Sequence, residues 1–217
     1  MLQRITKGEL LHAQIALAVA IALQLLVWKM NDDLLAGPQF LLIPTEIGLA
    51  VLISFTVNMR TAHERGINHL FAVILLGLIS VANVSSLLLV LHSLVITHAT
   101  FSGPELLTSA IAILLTNVIV YALWYWEIDS PGLSRKRWSK HDKDFQFTQQ
   151  DLKGEYPGWH PQFLDYLYLS VTNAVNFASA DARPLTHAAK LLMGSQALIS
   201  VLTLALVLAR SVSILGT

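Results

Sequence analysis

Along the last hydrophobic stretch of the chain, Gln196, Ser200, Thr203, Val207 and Arg210 recur at steps of three and four residues. On an α-helix that spacing gathers them on one face. A polar face on a membrane helix does one of two things. It lines a water-filled cavity, or it hydrogen-bonds to neighbouring helices as packing. Arg210, near the far end, would put a ring of positive charge at one exit of a symmetric assembly. Glu46 is a second candidate, two residues after Pro44 in an apolar segment. A carboxylate there is suited to proton sensing or ion binding, or it caps backbone groups that Pro44 releases. Asn83 and Asn117 lie near mid-depth of their segments, placed to bond to each other between helices.

Other chemistry lacks a pattern. The chain has no cysteine, which excludes disulfides, thiolate metal sites and thiol nucleophiles. His63 and His69, like His92 and His98, are six residues apart, a spacing that does not put two ligands on one helical face. No HExxH pattern occurs, so no metal is assigned. Ser-His-Asp order, a glycine-rich phosphate loop and a carboxylate pair are absent as patterns. The chain therefore reads as a non-enzyme with no catalytic residues and no cofactor. Its net charge of zero excludes nucleic acid as an expected partner.

The elements that carry these residues are membrane helices. Of the 217 residues 54% are hydrophobic and 13% charged, against about 25% charged in a soluble domain. Mean hydropathy is +0.59, so the lipid bilayer is the first expected partner. Five segments approach the length of about 20 residues that a crossing needs: 11–28, 40–58, 70–92, 106–126 and 189–212. The basic N-terminus leads into the first, which reads as an anchor helix. Trp28 closes the first segment, and Tyr121, Trp124, Tyr125 and Trp126 close the fourth. Aromatics at such ends suit the headgroup layer. The loop 127–161 holds 12 of the 28 charged residues and is broken by Pro131-Gly132 and Pro157-Gly158. It reads as aqueous and partly irregular.

Between that loop and the last segment, PQFLDYLYLSVTN (161–173) is apolar and aromatic but too short to span. Small and polar residues follow, NAVNFASADARPLT, ending at Thr186. A half-helix that returns to the side it entered fits this pattern, as does an amphipathic helix lying on the surface. Irregular backbone at membrane depth needs cover from protein or water.

The stretch Tyr168–Thr186, YLSVTNAVNFASADARPLT, resembles a potassium-channel pore loop such as YFSVVTLTTVGYGDIVPVT. Tyr168, Ser170, Val171, Asp181, Pro184 and Thr186 match without gaps. The likeness extends to bacterial integral membrane proteins that carry such a pore module with a degenerate selectivity filter. It covers about half the chain, from the fourth segment onward. It implies an all-α membrane protein of about five transmembrane helices plus one re-entrant pore helix and loop. Residues 1–104 form a three-helix membrane region. Residues 105–217 form the pore-like module: outer helix 106–126, aqueous loop 127–161, re-entrant helix and filter-like loop 162–186, inner helix 187–214.

The departures carry the functional expectation. The filter positions fall on Asn176, Phe177, Ala178, Ser179 and Ala180. In a potassium filter successive carbonyls replace the ion's water, and glycines permit backbone conformations that alanine resists. With Ala178 and Ala180 in their places, the resemblance implies a weakly selective constriction. Asn173, Asn176 and Ser179 would offer side-chain dipoles there. Asp181 either forms a carboxylate ring that attracts cations or is neutralised by Arg183 or Lys190. The expected function is a homotetrameric ion-conducting pore, passing monovalent ions without potassium-type selectivity. The alternative is a non-conducting membrane scaffold or sensor, with the loop as a packing element. A pore needs the Gln196–Arg210 face around a wet axis, whereas a scaffold buries it against neighbouring helices. With five crossings one side carries 12 basic residues and the other only Lys29 and Arg210. This bias places the N-terminus in the cytoplasm, in a bacterial inner membrane, although pore loops of the potassium family enter from outside.

Overall fold

The computed structural model describes residues 7–30, 45, 47–48, 50, 62–95, 103–129, 143–152, 154–176, 178 and 181–215. Its elements are α1 (Lys7–Met30), α2 (Ala62–Val95), α3 (Gly103–Asp129), β1 (Phe145–Phe147), α4 (Thr148–Asp151), α5 (Phe163–Asn176), β2 (Ala182–Pro184) and α6 (His187–Leu215). Four helices contain stretches long and apolar enough to cross a bilayer: Gly8–Val27, Leu70–His92, Leu106–Asp129 and His187–Leu208. This is the pattern of a mostly helical, multi-pass membrane protein. They coincide with four of the five expected segments. The remaining one, 40–58, lies outside the described residues except at 45, 47, 48 and 50, which are helical.

α3 is the hub. It packs against α1, α2, α5 and α6, and 67% of its span is buried, against 28% for α6. On α1 the inward residues Leu10, Ala13, Leu17, Ala20 and Ile21 keep helical spacing. Ala13 and Ala20 are fully buried, and small residues let helix backbones approach closely. Leu75, Leu76 and Ile79 of α2 join the same core. Gln24 donates to the Ile79 carbonyl at 3.4 Å, and the Trp124 indole donates to Ser80 Oγ at 3.0 Å. At the opposite end Leu87 and Val90 of α2, Leu106, Ala110 and Ile113 of α3, and Leu206 of α6 form a second core.

Local signals set the helix ends. Pro104 occupies an early position in α3, where its missing N–H costs nothing. Asp165 Oδ2 accepts the Gln162 N–H at 2.7 Å, a side chain reaching back to cap α5. Thr186 Oγ1 accepts the Ala189 N–H at 3.2 Å and caps α6.

Within the 127–161 loop the structure describes β1 and α4 at 145–151, followed over 154–161 by turns and backbone without regular structure. β1 pairs antiparallel with β2, Phe145 opposite Pro184 and Phe147 opposite Ala182. The all-α expectation did not include these strands. Phe145 and Phe147 alternate with Gln146, and both phenylalanines are buried. Phe145 meets Tyr125 edge-on at 5.2 Å. Phe147 meets Tyr166 at 5.4 Å and Trp159 at 5.7 Å. Gly158, with φ of 81°, makes the turn that Pro157-Gly158 signals. Because β2 returns to β1 beside the end of α3, the chain descends along α5 and comes back to the end it left.

Phe147→Ala is expected to cost about 3 kcal/mol, the lower range for truncating a buried phenylalanine. Thermal unfolding in detergent measures this. A melting temperature equal to that of the parent would mean that the ring lies outside the cooperative core.

Candidate functional site

Three helices bring three polar rows together. On α3, Asn117, Tyr121, Tyr125 and Asp129 follow one another at steps of four, and all are buried. On α5, Tyr166, Ser170 and Asn173 are buried at steps of four and three. On α6 the row is Gln196, Ser200 and Thr203, each with 0% exposure.

Gln196 is the node. Its Nε2 donates to the Ser170 carbonyl at 3.0 Å and to Ser170 Oγ at 2.7 Å. Its Oε1 accepts the Tyr125 hydroxyl at 2.5 Å and Asn173 Nδ2 at 2.8 Å. A carboxamide has two donor hydrogens and two acceptor sites, so every hydrogen-bonding position of this side chain is filled. Ser170 Oγ in turn donates to the Val118 carbonyl at 2.7 Å, and Asn173 Nδ2 lies 3.0 Å from the Met193 carbonyl. Deeper along α3, Asn117 Nδ2 donates to Ser200 Oγ at 3.0 Å. Tyr121 Oη and Ser195 Oγ are 2.8 Å apart. Since Ser195 Oγ donates to the Leu192 carbonyl, the Tyr121 hydroxyl is the donor of that pair. Thr203 Oγ1 donates to the Ile199 carbonyl of its own helix at 2.7 Å.

A second cluster closes the end of α3. Asp129 is 2% exposed. Its Oδ1 accepts the N–H groups of Asp144 at 2.7 Å and Phe145 at 2.9 Å. Its Oδ2 accepts the Tyr166 hydroxyl at 2.6 Å. One carboxylate thus ties α3, β1 and α5 together. The Leu185 N–H donates to the Asp144 carbonyl at 2.8 Å and the Thr148 N–H to the Asp181 carbonyl at 3.0 Å. Thr186 Oγ1 also donates to Asp144 Oδ1. The extramembrane strand and the segment preceding α6 are therefore one unit.

The expected constriction divides. Asn173 is inside the chain, bonded to α3 and α6. Asn176 is exposed at the end of α5, and Ala178 is exposed in a bend. Phe177, Ser179 and Ala180 lie outside the described residues. Asp181 is half-buried. Arg183 pairs with Asp151 at 3.0 Å, with both side chains largely exposed. An ion pair so placed contributes little. Burial pushes the Asp165 carboxyl above its ordinary range, and the nearby Asp181 carboxylate adds to the rise.

The expected lining residues Gln196, Ser200 and Thr203 meet helices of their own chain rather than a free surface. Val207 is partly buried against the second core. The side chain of Arg210 and the whole of Glu46 lie outside the described residues. Asn117 bonds to α6 rather than to Asn83. Tyr121 and Tyr125, which sequence places in a headgroup belt, point inward and bond to Ser195 and Gln196. The signal available for them was their step of four from Asn117 and Asp129. Among the described residues no three His, Cys, Asp or Glu side chains gather as a metal site requires. The Gln196 node itself consists of amides, hydroxyls and phenols.

No family model, curated protein or solved structure matches the chain. The likeness to the potassium-channel pore module rests on the residues quoted for it.

Gln196→Leu would leave the buried Tyr125 hydroxyl without its acceptor, while Ser170 keeps the Val118 carbonyl and Asn173 the Met193 carbonyl. It is expected to cost about 1–3 kcal/mol, the range for one unsatisfied buried group. In a double-mutant cycle with Asn173→Ala, the coupling is expected at about 1 kcal/mol, as for hydrogen bonds between membrane helices. Additive losses would mean that the two amides do not share a bond.

Proposed function

We propose that this chain is a non-conducting multi-pass membrane protein, a scaffold or sensor, in which the pore-loop-like segment 162–186 serves as a packing element. The observation that carries this reading is the burial of Gln196, Ser200 and Thr203 within a single chain. Gln196 gives all four of its hydrogen-bonding positions to α3 and α5. Ser200 accepts from Asn117 of α3 and Thr203 donates within α6, so this face is turned into the chain rather than toward a file of ions. The opposite face of α6 carries Leu191, Gly194, Leu198, Val201, Ala205 and Leu208, all exposed and all without a polar side chain. A cavity lined by that face would be apolar, and apolar constrictions close by losing water. The strand pair at the end of α3 gives the scaffold an extramembrane surface for a partner.

A homotetrameric, weakly selective pore is the second reading, favoured by the exposure of Asn176 and Ala178 where α5 ends. A polar side chain exposed at membrane depth needs water or a polar partner. For either reading, five crossings with 12 basic residues on one side and two on the other support a cytoplasmic N-terminus in a bacterial inner membrane.

Two measurements test the choice. Proteoliposomes are expected to pass potassium and sodium no faster than protein-free vesicles. Native mass in lipid nanodiscs is expected below that of a tetramer. A tetramer whose cation flux falls at least tenfold in Asn176→Ala would overturn the proposal and establish the pore. Separately, a C-terminal reporter is expected to be active outside the cytoplasm, and cytoplasmic activity would reverse the orientation.

A further inference from the structure

α5 lies in a groove made by α1, α3 and α6. Its inward residues, Phe163, Tyr166, Leu169 and Asn173 among them, are buried there. Its free side carries Leu164, Tyr168, Val171 and Val175, exposed by 52%, 50%, 41% and 56%. Steps of four, three and four put these on one narrow stripe. The stripe opens between α1 and α6, whose outward faces are also apolar, as at Ile15 and Leu198. Both helices are long and apolar enough to cross a bilayer.

We propose that this stripe is a lipid-contact surface, with acyl chains of one leaflet lying along Leu164, Tyr168, Val171 and Val175. The geometry sets the depth. The start of α5 is pinned to the end of the α3 span by the Tyr166–Asp129 hydrogen bond of 2.6 Å. The Trp126–Phe163 ring contact at 5.4 Å adds to this. From there α5 descends for 14 residues, about 21 Å, against a hydrocarbon core of about 30 Å. It therefore ends inside the bilayer without crossing it, and β2 brings the chain back to β1 at the end where α5 began. The stripe presents to an occupant no hydrogen-bonding side chain but the Tyr168 hydroxyl. It also continues the bilayer-facing surfaces of α1 and α6, so acyl chains reach it without any rearrangement. The inference is independent of whether the chain conducts.

The absence of cysteine makes the test direct. Single nitroxide labels are placed through Leu164→Cys, Tyr168→Cys, Val171→Cys and Val175→Cys in the full chain in phosphatidylcholine bilayers. Collision with oxygen is expected to exceed collision with a water-soluble nickel chelate at all four. Oxygen access is expected to rise from 164 towards 175, while Glu155→Cys reports the aqueous ratio. High nickel access at 171 and 175 would overturn the proposal in favour of a water-filled vestibule. Low access to both reagents with spin–spin broadening would overturn it in favour of a second copy of this chain. The unsubstituted protein is read in parallel with a phospholipid carrying a photoreactive acyl chain. Adducts are expected within 164–175, and adducts on α1 and α6 alone would also overturn the proposal.

Discussion

The Gln196 side chain sits where water does not reach, and its carboxamide has two hydrogens to give and two acceptor sites to fill. Inside a membrane bundle the alternative to filling them is a polar group without a partner, which costs more the lower the surrounding dielectric. Ser170, Tyr125 and Asn173 fill all four positions. This one residue therefore fixes the rotation of α6 about its axis, the depth of α5 and the inward direction of the Tyr125 ring. Turning α6 to point Gln196 elsewhere would break bonds to two helices together.

The consequences run outward from that node. A helix of 14 residues is marginal alone, so α5 depends on its tertiary bonds. It is held at its start by Asp129 and near its end by Asn173. Asp129 also takes the N–H groups of Asp144 and Phe145, which brings the extramembrane strand onto the bundle. The rings of Phe145, Phe147 and Trp159 then pack as a cluster around Tyr166, the residue that donates to this carboxylate. The side of α6 turned away from the node is left apolar, as is the outer stripe of α5. Polar residues are concentrated between helices, and apolar ones face outward, the arrangement a bilayer demands.

Hydropathy made the crossings legible, because twenty apolar residues in a row have few other uses. The helix Phe163–Asn176 could also be anticipated from a short apolar run followed by small residues, and the Pro157-Gly158 turn from its residue types. The strand pair was not anticipated. Three residues, Phe145-Gln146-Phe147, carry the alternation of a strand, but the surrounding charge made the segment look solvated. Tyr121 and Tyr125 were misplaced for a related reason. A tyrosine near the end of a membrane helix suits the headgroup layer and the helix interior equally well, and only its partner decides.

The polar face of α6 marks where sequence stops and tertiary structure begins. Spacing alone determined that Gln196, Ser200 and Thr203 share one side of a helix, because helical periodicity is local. It also determined that the chain lives in a membrane, because composition sums over all residues. Which way the polar face points was decided only by the fold. Whether those groups meet water on an axis or amides and phenols on α3 and α5 depends on contacts between residues up to 83 positions apart, as Asn117 and Ser200 are. Such contacts leave no local trace, since the same glutamine and serine satisfy either environment with the same hydrogen bonds.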